Sequence, residues 1–568
     1  MIFEFIKKAH KKSQNSFEIT KYNLPMQKLL LLGAEAIAQG AIDGGMSGVY
    51  AYPGTPSTEI TEYVQHYELA KERNIHSKWS ANEKTAMEAG LGMSYAGKRA
   101  MVCMKHVGLN VAADAFINSA ITGTNGGLLV TVADDPSMHS SQNEQDSRYY
   151  GKFAQIPILE PSSQQEAYDM AYVGFQLSEK FKVPILIRIT TRLAHSRAAV
   201  ERKPLCDQNE IILPSNPHQF VLLPNFARVQ YKGLLNSFSG FIEDSEVSPF
   251  NKYIDGSDKS FGILACGLAY NYLMENFQGK PLNFPLLKIG QYPMPRSKVE
   301  KLMNECDSVL VLEDGYPMIE EVLKGYTAKE NIIGRLDGTI PRDGELNPNI
   351  VAQALGFEEK KKETLLDDAE LKEIVKARPP AMCTGCGHID AYNALNEALR
   401  DYTAGRVFSD IGCYTLGALP PFNAINSCVD MGASITMAKG AADAGLVPAV
   451  AVIGDSTFTH SGMTGLIDAV NENSPITILI SDNFTTGMTG GQDSAALGKI
   501  EDICEGIGVN PEHIRVFVPM KKNHDEMVRI IREELAFEGV SVIIPRRQCI
   551  QTTRNVKLNR RITELNLR

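Results

Sequence analysis

Short apolar runs of strand length recur along this chain, and a turn and a helix-length amphipathic segment follow each of them. That alternation is typical of parallel α/β units, in which each strand is buried on both faces and each helix crosses back to the next strand. The sequence therefore predicts an α/β fold with parallel sheets. The clearest runs lie at residues 100–104, 127–132, 183–189, 262–267, 285–289, 308–312, 449–453 and 476–480.

The 568 residues predict three or four folded units, since domains commonly contain roughly 150 residues. The alternation stops in a stretch rich in Pro, Asn, Ser and Gly, and again in a charged stretch, and we interpret both as connectors. The expected organisation is an N-terminal extension (1–24), an α/β domain (25–206), an irregular linker (207–259), a small α/β domain (260–357), a charged linker (358–377), a third α/β domain (378–545) and a C-terminal tail (546–568).

Composition and charge exclude several classes of protein. Hydrophobic residues make up 43% and charged residues 22%, a globular composition that excludes fibrous and disordered chains. A formal net charge of −10 gives no basic surface for a nucleic-acid backbone. No apolar stretch approaches the roughly 18 residues that span a bilayer, and residues 1–16 lack the apolar core of a secretory signal. We therefore predict a soluble, cytoplasmic protein without a nucleic-acid partner.

Two predicted strands end in polar residues that suit a magnesium ion. One strand ends in Gly454-Asp455-Ser456, and the next strand, one helix later, ends near Asn483. The carboxyl ends of parallel strands form the ligand-binding edge of an open α/β sheet. A carboxylate and an amide oxygen there, together with phosphate oxygens from a ligand, match the preference of Mg²⁺ for hard oxygen donors. The alternative is a strand-ending turn and an ordinary loop amide.

Ten cysteines are too few for a disulfide scaffold in a chain of this length, but four fall at or near one predicted domain. Cys383 and Cys386 form a Cys-x-x-Cys loop, and Cys413 and Cys549 follow as single residues. Four thiolates hold either a zinc ion or a [4Fe–4S] cluster, and the spacing alone does not distinguish them. One close pair with two distant cysteines favours a cluster that the fold assembles. The remaining six cysteines are expected to be small core residues: Cys103, Cys206, Cys266, Cys306, Cys428 and Cys504.

The Gly454-Asp455-Ser456 motif, followed after 26 residues by Asn483, resembles the diphosphate-anchoring motif of thiamine-diphosphate enzymes. Together with the cysteines and several other segments, it makes nearly the whole chain resemble the alpha subunits of indolepyruvate:ferredoxin oxidoreductases, within the 2-oxoacid:ferredoxin oxidoreductase superfamily. The segments that carry this resemblance are residues 52–59, 80–86, 134–148, 410–417, 430–435 and 485–492.

The resemblance implies an architecture and a set of cofactors. Two thiamine-diphosphate-binding-type parallel-sheet domains, one for the pyrimidine ring and one for the diphosphate, would flank a smaller domain like the C-terminal domain of transketolase. The implied activity is oxidative decarboxylation of an aryl, indolepyruvate-like 2-oxo acid to its acyl-CoA. Thiamine diphosphate, Mg²⁺ and one [4Fe–4S] cluster would be the cofactors, with coenzyme A as co-substrate. The implied partners are a small gamma-type (beta) subunit and ferredoxin or another electron acceptor, in a dimer of heterodimers.

The resemblance also implies roles for single residues. Glu83 would activate the cofactor through its pyrimidine ring, unless it is a surface residue at a helix start, and Thr55 would contact the substrate. Lys105 and His106 are candidate substrate ligands because they follow a strand, with an ordinary loop as the alternative. The residues expected to bind the cofactor are Gly412, Gly432, Gly454, Asp455, Ser456, His460, Asn483, Thr485 and Gly490. His460 could instead cap the following helix.

Metal ligands follow from the same resemblance. Asp455, Asn483 and Thr485 would bind Mg²⁺, and Cys383, Cys386, Cys413 and Cys549 would bind the [4Fe–4S] cluster.

Two features depart from the family pattern. Family members commonly continue into a ferredoxin-like tail with two more cysteine-rich motifs, which this sequence lacks before Arg568, so we expect at most one cluster and a separate electron acceptor. The cluster loop has Thr384 and Gly387 where proline is more common. Two other interpretations stay open, namely a non-redox thiamine-diphosphate 2-oxoacid decarboxylase or ligase and a cofactor-binding scaffold subunit.

Overall fold

The computed structural model describes residues 28–216, 218–278, 280–325, 331–341, 343–357, 374–375, 381–428, 431–443, 445–565 and 567. The expected N-terminal extension and most of the expected charged linker lie outside the described residues, and so does Asp430. Within the described ranges, no helix is both long and apolar enough to cross a membrane.

Strands occur at all eight runs identified in the sequence. The strands before residue 340 are β1 (Lys28–Leu32), β2 (Gly48–Ala51), β3 (His76–Trp79), β4 (Ala100–Lys105), β5 (Leu128–Asp134), β6 (Ile158–Leu159), β7 (Ile185–Thr190), β8 (Arg197–Glu201), β9 (Lys252–Ile254), β10 (Gly262–Cys266), β11 (Leu286–Ile289), β12 (Gln291–Tyr292), β13 (Val309–Leu312) and β14 (Ile332–Ile333). The later strands are β15 (Val407–Ser409), β16 (Ser427–Cys428), β17 (Ala449–Gly454), β18 (Ile476–Ser481), β19 (Thr485–Thr486), β20 (Gln492–Asp493), β21 (Ile514–Phe517) and β22 (Ser541–Pro545).

Helices connect most of these strands. Those before residue 360 are α1 (Gly33–Asp43), α2 (Thr58–His66), α3 (Glu68–Glu72), α4 (Glu83–Tyr95), α5 (His106–Thr122), α6 (Arg148–Ala154), α7 (Gln164–Phe181), α8 (Thr191–His195), α9 (Pro224–Val247), α10 (Ala269–Asn276), α11 (Arg296–Glu305), α12 (Met318–Lys324) and α13 (Pro348–Ala354). The later helices are α14 (Gly387–Ala398), α15 (Ala433–Asp443), α16 (Asp455–Thr457), α17 (Met463–Asn471), α18 (Ile500–Ile507), α19 (His524–Leu535) and α20 (Val556–Glu564).

The strands form three main sheets. A seven-stranded sheet has the order β12-β6-β7-β5-β4-β2-β3, a five-stranded sheet has the order β14-β13-β10-β11-β9, and a six-stranded sheet has the order β16-β15-β17-β18-β22-β21. All pairings in these three sheets are parallel except those of β9 and β12, each of which is an antiparallel edge strand. The predicted α/β class is confirmed, because buried parallel strands require crossover helices on the sheet faces.

The predicted irregular linker at 207–259 is wrong for its central part. Pro224–Val247 form α9, a helix of 24 residues, and Lys252–Ile254 form the edge strand β9. Most of α9 faces solvent, so its sequence lacks the broad apolar stripe by which a core helix is identified. Leu234 and Phe241 are buried in a core that α9 shares with the first two sheets. Tertiary packing, which periodicity does not reveal, holds this helix in place.

The seven-stranded and five-stranded sheets are joined by a strand and by buried ion pairs. β12 follows β11 of the five-stranded sheet but pairs with β6 of the seven-stranded sheet. Arg148 lies 3.0 Å from Glu313 across this junction, and Arg188 donates to the Asp314 carbonyl at 2.7 Å. Burial raises the pKa of Glu313 to about 7, although Arg148 opposes that shift. Separating the two sheets would leave these buried charges without partners. We therefore infer that the junction is rigid.

The C-terminal tail contains the amphipathic helix α20. Its Leu558 and Ile562 are buried against Phe484 and Leu497. Phe484 has a φ of +68°, a left-handed conformation that is costly for a bulky residue and needs support from its surroundings. The tail therefore packs on the loop that follows β18 of the six-stranded sheet.

Candidate functional site

The predicted acid Glu83 lies beyond the carboxyl end of β3, which neighbours β2 in the parallel sheet. It begins α4 directly after Asn82, whose side-chain oxygen caps the helix by accepting the Thr85 amide at 2.9 Å. The Glu83 side chain is buried. It packs against α5, where a methyl group on Gly108 would lie only 2.6 Å from the Glu83 Cγ. Glu83 is therefore not a surface residue, and its burial depends on the glycine opposite.

Glu83 meets a histidine from the other end of the chain. Its Oε2 lies 2.8 Å from His460 Nε2, and Asn82 Nδ2 donates to the His460 carbonyl at 2.9 Å. The ring centroid of Tyr52 lies 4.7 Å from that of His460, and the Tyr52 hydroxyl lies 2.8 Å from Ser456 Oγ. These contacts bring the ligand-binding edges of the seven-stranded and six-stranded sheets together at one buried site.

The orientation of His460 follows from an unusual turn. Phe458–Gly462 form a π-helical turn between β17 and α17, a widened geometry that often occurs at functional sites. His460 Nδ1 lies 2.5 Å from Ser461 Oγ, which leaves Nε2 directed at Glu83. Of the two interpretations of His460 from the sequence, the structure therefore favours the one in which it faces the site.

Lys105 and His106 are both buried where β4 passes into α5. Lys105 Nζ donates to the Ser140 carbonyl at 2.9 Å, and His106 Nε2 lies 3.2 Å from the Asn143 carbonyl. Burial lowers the pKa of Lys105, while the nearby charge of Asp135 opposes that shift. His106 Nδ1 is buried and has no hydrogen-bond partner in the described part of the chain. The segment after β5 thus covers this pair and leaves one ring nitrogen unused.

Thr55 lies half-buried in the turn that follows β2. That turn packs on Lys105, because a methyl group on the adjacent Gly54 would lie 3.3 Å from the Lys105 Cβ. β2, β3 and β4 are neighbours in one parallel sheet. The structure therefore places the predicted catalytic residues Thr55, Glu83, Lys105 and His106 along one sheet edge.

Asp455 and Asn483 follow the adjacent parallel strands β17 and β18. Asp455 is buried, and its Oδ2 has no hydrogen-bond partner among the described residues. Burial, followed by the charge of Asp482, raises the pKa of Asp455 well above its usual range. Buried polar atoms are normally paired, and a divalent cation would supply the missing partner. Asp455 therefore fits the predicted magnesium site.

Asn483 and Thr485 offer oxygens beside it. Asn483 is half-buried, and its Oδ1 accepts a hydrogen bond from the Thr485 amide at 3.0 Å. The Thr485 hydroxyl donates to the Gln492 carbonyl at 2.8 Å. Thr485 therefore still offers a cation its backbone carbonyl and the lone pairs of its hydroxyl oxygen. A carboxylate, an amide and a carbonyl give the all-oxygen donor set that Mg²⁺ prefers.

Gly412 and Gly454 face the same aromatic ring. A methyl group would lie 2.2 Å from Tyr414 Cε1 at Gly412 and 2.6 Å from it at Gly454. The Tyr414 hydroxyl donates to Asp410, which also accepts the Gly432 amide at 3.2 Å. Burial raises the pKa of Asp410 to about 6. These glycines leave room for the Tyr414 ring beside the ends of β15 and β17.

Gly490, a predicted cofactor residue, lies apart from this group. It is exposed, and its φ of +121° requires glycine. A methyl group there would lie 2.9 Å from Gln492 Nε2 and 3.5 Å from Glu62 Oε1. Gln492 also donates to Glu62 at 2.8 Å. Gly490 thus lies at a contact with α2, which is made through Gln492 and Glu62.

The four predicted cluster cysteines line one cavity of about 90 Å³, with Asp482 and Asn483 on its wall. The cysteines are Cys383, Cys386, Cys413 and Cys549. Burial raises the pKa of Cys413 to about 12, and the neighbouring thiols add to the shift. An iron centre would reverse this preference, since a coordinating thiol is deprotonated by its metal. The cavity joins cysteines that are up to 166 positions apart.

The arrangement of these thiols bears on which metal they suit. Among the described residues, no three Cys, His, Asp or Glu side chains are grouped as they would be around one metal ion. Each thiolate of a [4Fe–4S] cluster binds a different iron, so the sulfurs surround a cavity and do not meet at one point. The four thiols that line this cavity are the residue type that holds such a cluster.

The prediction that the other six cysteines are core residues is correct for four. Cys103, Cys266, Cys306 and Cys504 are buried. Cys206 is half-buried, and the prediction is wrong for Cys428, which is exposed. Cys428 ends β16, the edge strand of the six-stranded sheet.

Several contacting residues were not singled out from the sequence. Tyr52, Asn82, Asp410 and Tyr414 all touch residues that were predicted to form the site. Each of them lies inside a segment on which the family resemblance rests. The resemblance therefore indicated the right segments of the chain. A segment match does not reveal which side chain points at a partner hundreds of positions away.

Comparisons with known proteins give matches to the parts of the chain on both sides of this site. Residues 39–226 match the family described as pyruvate flavodoxin/ferredoxin oxidoreductase, thiamine diphosphate-binding, and residues 410–544 match the thiamine pyrophosphate enzyme, C-terminal TPP binding domain. Indolepyruvate oxidoreductase subunit IorA of Archaeoglobus fulgidus is 38% identical over 545 residues, which cover 92% of this chain and 86% of that protein. The subunit of the same name from Pyrococcus horikoshii is 38% identical over 576 residues, covering 94% of this chain and 87% of that protein.

One solved structure is also similar to this chain. It is the 2-oxoglutarate:ferredoxin oxidoreductase from Magnetococcus marinus with 2-oxoglutarate, coenzyme A and succinyl-CoA bound. It is 16% identical, has a TM-score of 0.46, and the match covers 58% of this chain and 67% of that one.

Proposed function

The chain belongs to the family of indolepyruvate oxidoreductase IorA subunits, and we propose that it oxidatively decarboxylates an aryl 2-oxo acid such as indolepyruvate to its acyl-CoA. It is the alpha subunit of a thiamine-diphosphate-dependent 2-oxoacid:ferredoxin oxidoreductase. In each turnover, one 2-oxo acid and one CoA thiol give one acyl-CoA, one CO₂, two protons and two electrons. The aryl specificity rests on the relatives' name.

Glu83 is the residue proposed to activate the cofactor. Thiamine diphosphate, when bound, supplies the carbon nucleophile and the electron sink for decarboxylation. Glu83 is buried and has a hydrogen-bond partner, His460 Nε2, at 2.8 Å. Such a carboxyl group exchanges a proton with a ring nitrogen while water is excluded. His460 and Asn82 would hold it in position.

Mg²⁺ and the diphosphate would bind at the ends of β17 and β18. Asp455 has an unpaired buried oxygen, and Asn483 and the Thr485 carbonyl lie on the neighbouring loop. Mg²⁺ usually shares its ligands with substrate phosphates. We therefore assign Asp455, Asn483 and Thr485 to the ion, and the backbone around Gly412, Gly432, Gly454 and Ser456 to the cofactor.

The 2-oxo acid would lie against Thr55, Lys105 and His106. Lys105 carries the only positive side chain of this group, and its ammonium would pair with the substrate carboxylate. His106 Nε2 pairs with a carbonyl and so carries the ring proton, which leaves Nδ1, without a partner in the described residues, to accept a hydrogen bond from a water beside the 2-oxo group. Both side chains are held by carbonyls of residues 140 and 143, so they are oriented before substrate binds.

The electrons would leave through one [4Fe–4S] cluster on Cys383, Cys386, Cys413 and Cys549. A cluster of this kind accepts electrons singly, which matches ferredoxin as an acceptor. The observation that carries the proposal is that these four thiols share a cavity with Asn483 of the magnesium site. A small gamma-type subunit would complete the enzyme in a dimer of heterodimers, and the cytoplasm would be its compartment.

Anaerobic purification of the chain with its small subunit tests this proposal. We expect a brown protein with about four iron and four sulfide per chain, as one [4Fe–4S] cluster requires, whose visible absorbance bleaches with dithionite. Indolepyruvate with coenzyme A should reduce ferredoxin faster than 2-oxoglutarate does at equal concentration. A colourless zinc protein, or one that decarboxylates without reducing an acceptor, would support the non-redox alternative. Cofactor binding without any turnover would support the scaffold alternative.

A further inference from the structure

One loop contacts both of the proposed metal sites. Residues 482–487, the metal–cluster loop, carry Asn483 near one end. At the other end is Gly487, where a methyl group would lie 3.2 Å from Cys413 Sγ and 4.0 Å from Cys549 Sγ. A displacement of this loop would therefore move a magnesium ligand and a cluster contact together.

A second segment runs beside this loop and is bonded to it through the backbone. The Asp482 amide donates to the Pro545 carbonyl at 3.0 Å, and the Arg547 amide donates back to the Asp482 carbonyl at 2.9 Å. Further along, the Cys549 amide donates to the Asn483 carbonyl at 3.1 Å. A cluster cysteine is thus held by the same residue whose side chain is proposed to bind Mg²⁺.

Arg546 joins the two segments through its side chain. Its Nε donates to Asp482 Oδ2 at 2.7 Å, and its two terminal nitrogens donate to Glu501 at 2.7 Å each. The Asp482 carboxylate is fully buried, and the Arg546 side chain is 11% exposed. Planar, bidentate guanidinium contacts of this kind fix geometry as well as charge.

The pairing also decides which carboxylate stays open to a cation. Asp455 and Asp482 lie at the ends of adjacent strands, and both are buried. Arg546 occupies Asp482 Oδ2, whereas Asp455 Oδ2 has no hydrogen-bond partner in the described residues. Without Arg546, Asp482 Oδ2 would be a second buried carboxylate oxygen without a partner beside the proposed ion site, since only Oδ1 accepts a further hydrogen bond, from the Phe484 amide at 3.3 Å.

We propose that Arg546 is a positioning residue shared by the magnesium site and the cluster site, which it couples by locking the metal–cluster loop to the segment at residues 545–549. The inference rests on the proposed function, because it concerns the same two sites. Loss of the lock should therefore weaken metal binding and alter the cluster together.

Three variants of the complex with its small subunit test this inference. Arg546→Gln removes the positive charge and the bidentate contact, whereas Arg546→Lys keeps a positive charge beside Asp482. Arg99→Gln is the matched control, because Arg99, just before β4, makes a comparable bidentate contact with Glu179 of α7, at 2.8 and 2.7 Å. Thermal unfolding of all three measures the cost to stability alone.

Two readouts separate positioning from general stability. Mg²⁺-dependent binding of thiamine diphosphate is followed by the fluorescence of Trp79, the chain's one tryptophan, which ends β3 next to the site. Arg546→Gln should weaken Mg²⁺ binding about 10-fold to 100-fold, the usual effect of removing a residue that orients metal ligands. It should also change the electron paramagnetic resonance spectrum of the dithionite-reduced cluster. Arg546→Lys should restore much of both signals, and Arg99→Gln should change neither.

An Arg546→Gln protein that loses metal affinity but keeps the wild-type spectrum would overturn the shared role, and so would one in which neither signal moves. If Arg99→Gln changes both signals as strongly, the effect is one of stability and the inference is wrong. Failure of the proposed function is visible separately, as wild-type protein without iron. In that case Mg²⁺ with thiamine diphosphate should still slow alkylation of Cys549 in wild type and not in Arg546→Gln; equal slowing in both would overturn the inference.

Discussion

Glu83 Oε2 and His460 Nε2 lie 2.8 Å apart although the two residues are 377 positions apart in the sequence. The contact joins the edge of the seven-stranded sheet to the edge of the six-stranded sheet, and both side chains are buried. A buried pair of this kind is stabilised only when each group satisfies the other. The two halves of the site are therefore assembled by the tertiary fold, and each depends on the other.

Replacing Glu83 by glutamine should remove cofactor activation and leave the fold intact. The amide keeps the size of the side chain but cannot exchange a proton, so acceptor reduction with a 2-oxo acid should fall by at least about 100-fold, the usual contribution of a positioned acid or base. Glu88→Gln is the control, because Glu88 lies exposed on the same helix and pairs with the exposed Lys84. Wild-type turnover in the Glu83 variant would show that another group activates the cofactor.

As the pH is raised, the Michaelis constant for the 2-oxo acid should begin to increase at a lower pH than it would if the carboxylate ligand were an ordinary exposed lysine. Burial lowers the pKa of Lys105 below its usual value of 10.5, so its ammonium, the proposed carboxylate ligand, loses its proton early. Lys105→Gln should raise the Michaelis constant about 10-fold to 100-fold, as expected for a lost charged hydrogen bond, and abolish this pH dependence. Lys84→Gln, an exposed change, should keep the wild-type profile. If the Michaelis constant of Lys105→Gln still rose over the same pH range, the assignment of Lys105 as the carboxylate ligand would be contradicted.

Replacing Asp455 by asparagine should raise the stability of the metal-free protein but remove the stabilisation that the metal gives. Burial raises the pKa of Asp455 in the folded state, so this group destabilises the metal-free protein at every pH above the pKa of the unfolded residue, and the cost grows as pH rises toward the raised pKa. Asp455→Asn should therefore stabilise the metal-free protein by about 1–3 kcal/mol, the cost of an unsatisfied buried group. It should lose the stabilisation that Mg²⁺ with thiamine diphosphate gives the wild type. Differential scanning calorimetry with and without the ligands measures both, and the exposed Asp468→Asn serves as control.

Alanine at position 487 should reduce the amount of cluster. A methyl group there would lie 3.2 Å from Cys413 Sγ and 4.0 Å from Cys549 Sγ, which crowds two of the proposed ligands. Iron and sulfide per chain should fall relative to wild type. Gly506→Ala is the control, because a methyl group at Gly506 meets nothing within 4 Å and should add about 1 kcal/mol of helix stability. Full iron content in the Gly487 variant would show that the cluster does not occupy this cavity.

Serine at position 413 should abolish the cluster, whereas serine at position 504 should not. Cys413 lines the shared cavity, and Cys504 is a buried core residue of α18 outside it. Iron analysis of anaerobically purified variants distinguishes them. Equal iron in both variants would mean that Cys413 is not a ligand.

Much of the fold could be predicted because it depends on local patterns. Each of the eight apolar runs forms a strand, since a strand buried on both faces must be apolar throughout. The helix α9 was missed because few of its side chains are buried, so its sequence has no broad stripe. Gly490, which a segment match assigned to the cofactor, lies in an exposed turn beside Gln492 and Glu62, and its role stays a prediction.

The sequence by itself determined the class of fold, the family and the types of residue available for chemistry. Polar residues at the ends of parallel strands and four cysteines in one region are local features that a linear pattern can show. Only the tertiary structure decided that Glu83 faces His460, that the four thiols share one cavity with Asn483, and that Arg546 ties the two loops together. These contacts join residues that are distant in the sequence, and their existence depends on packing, burial and charge pairing, which no local pattern encodes.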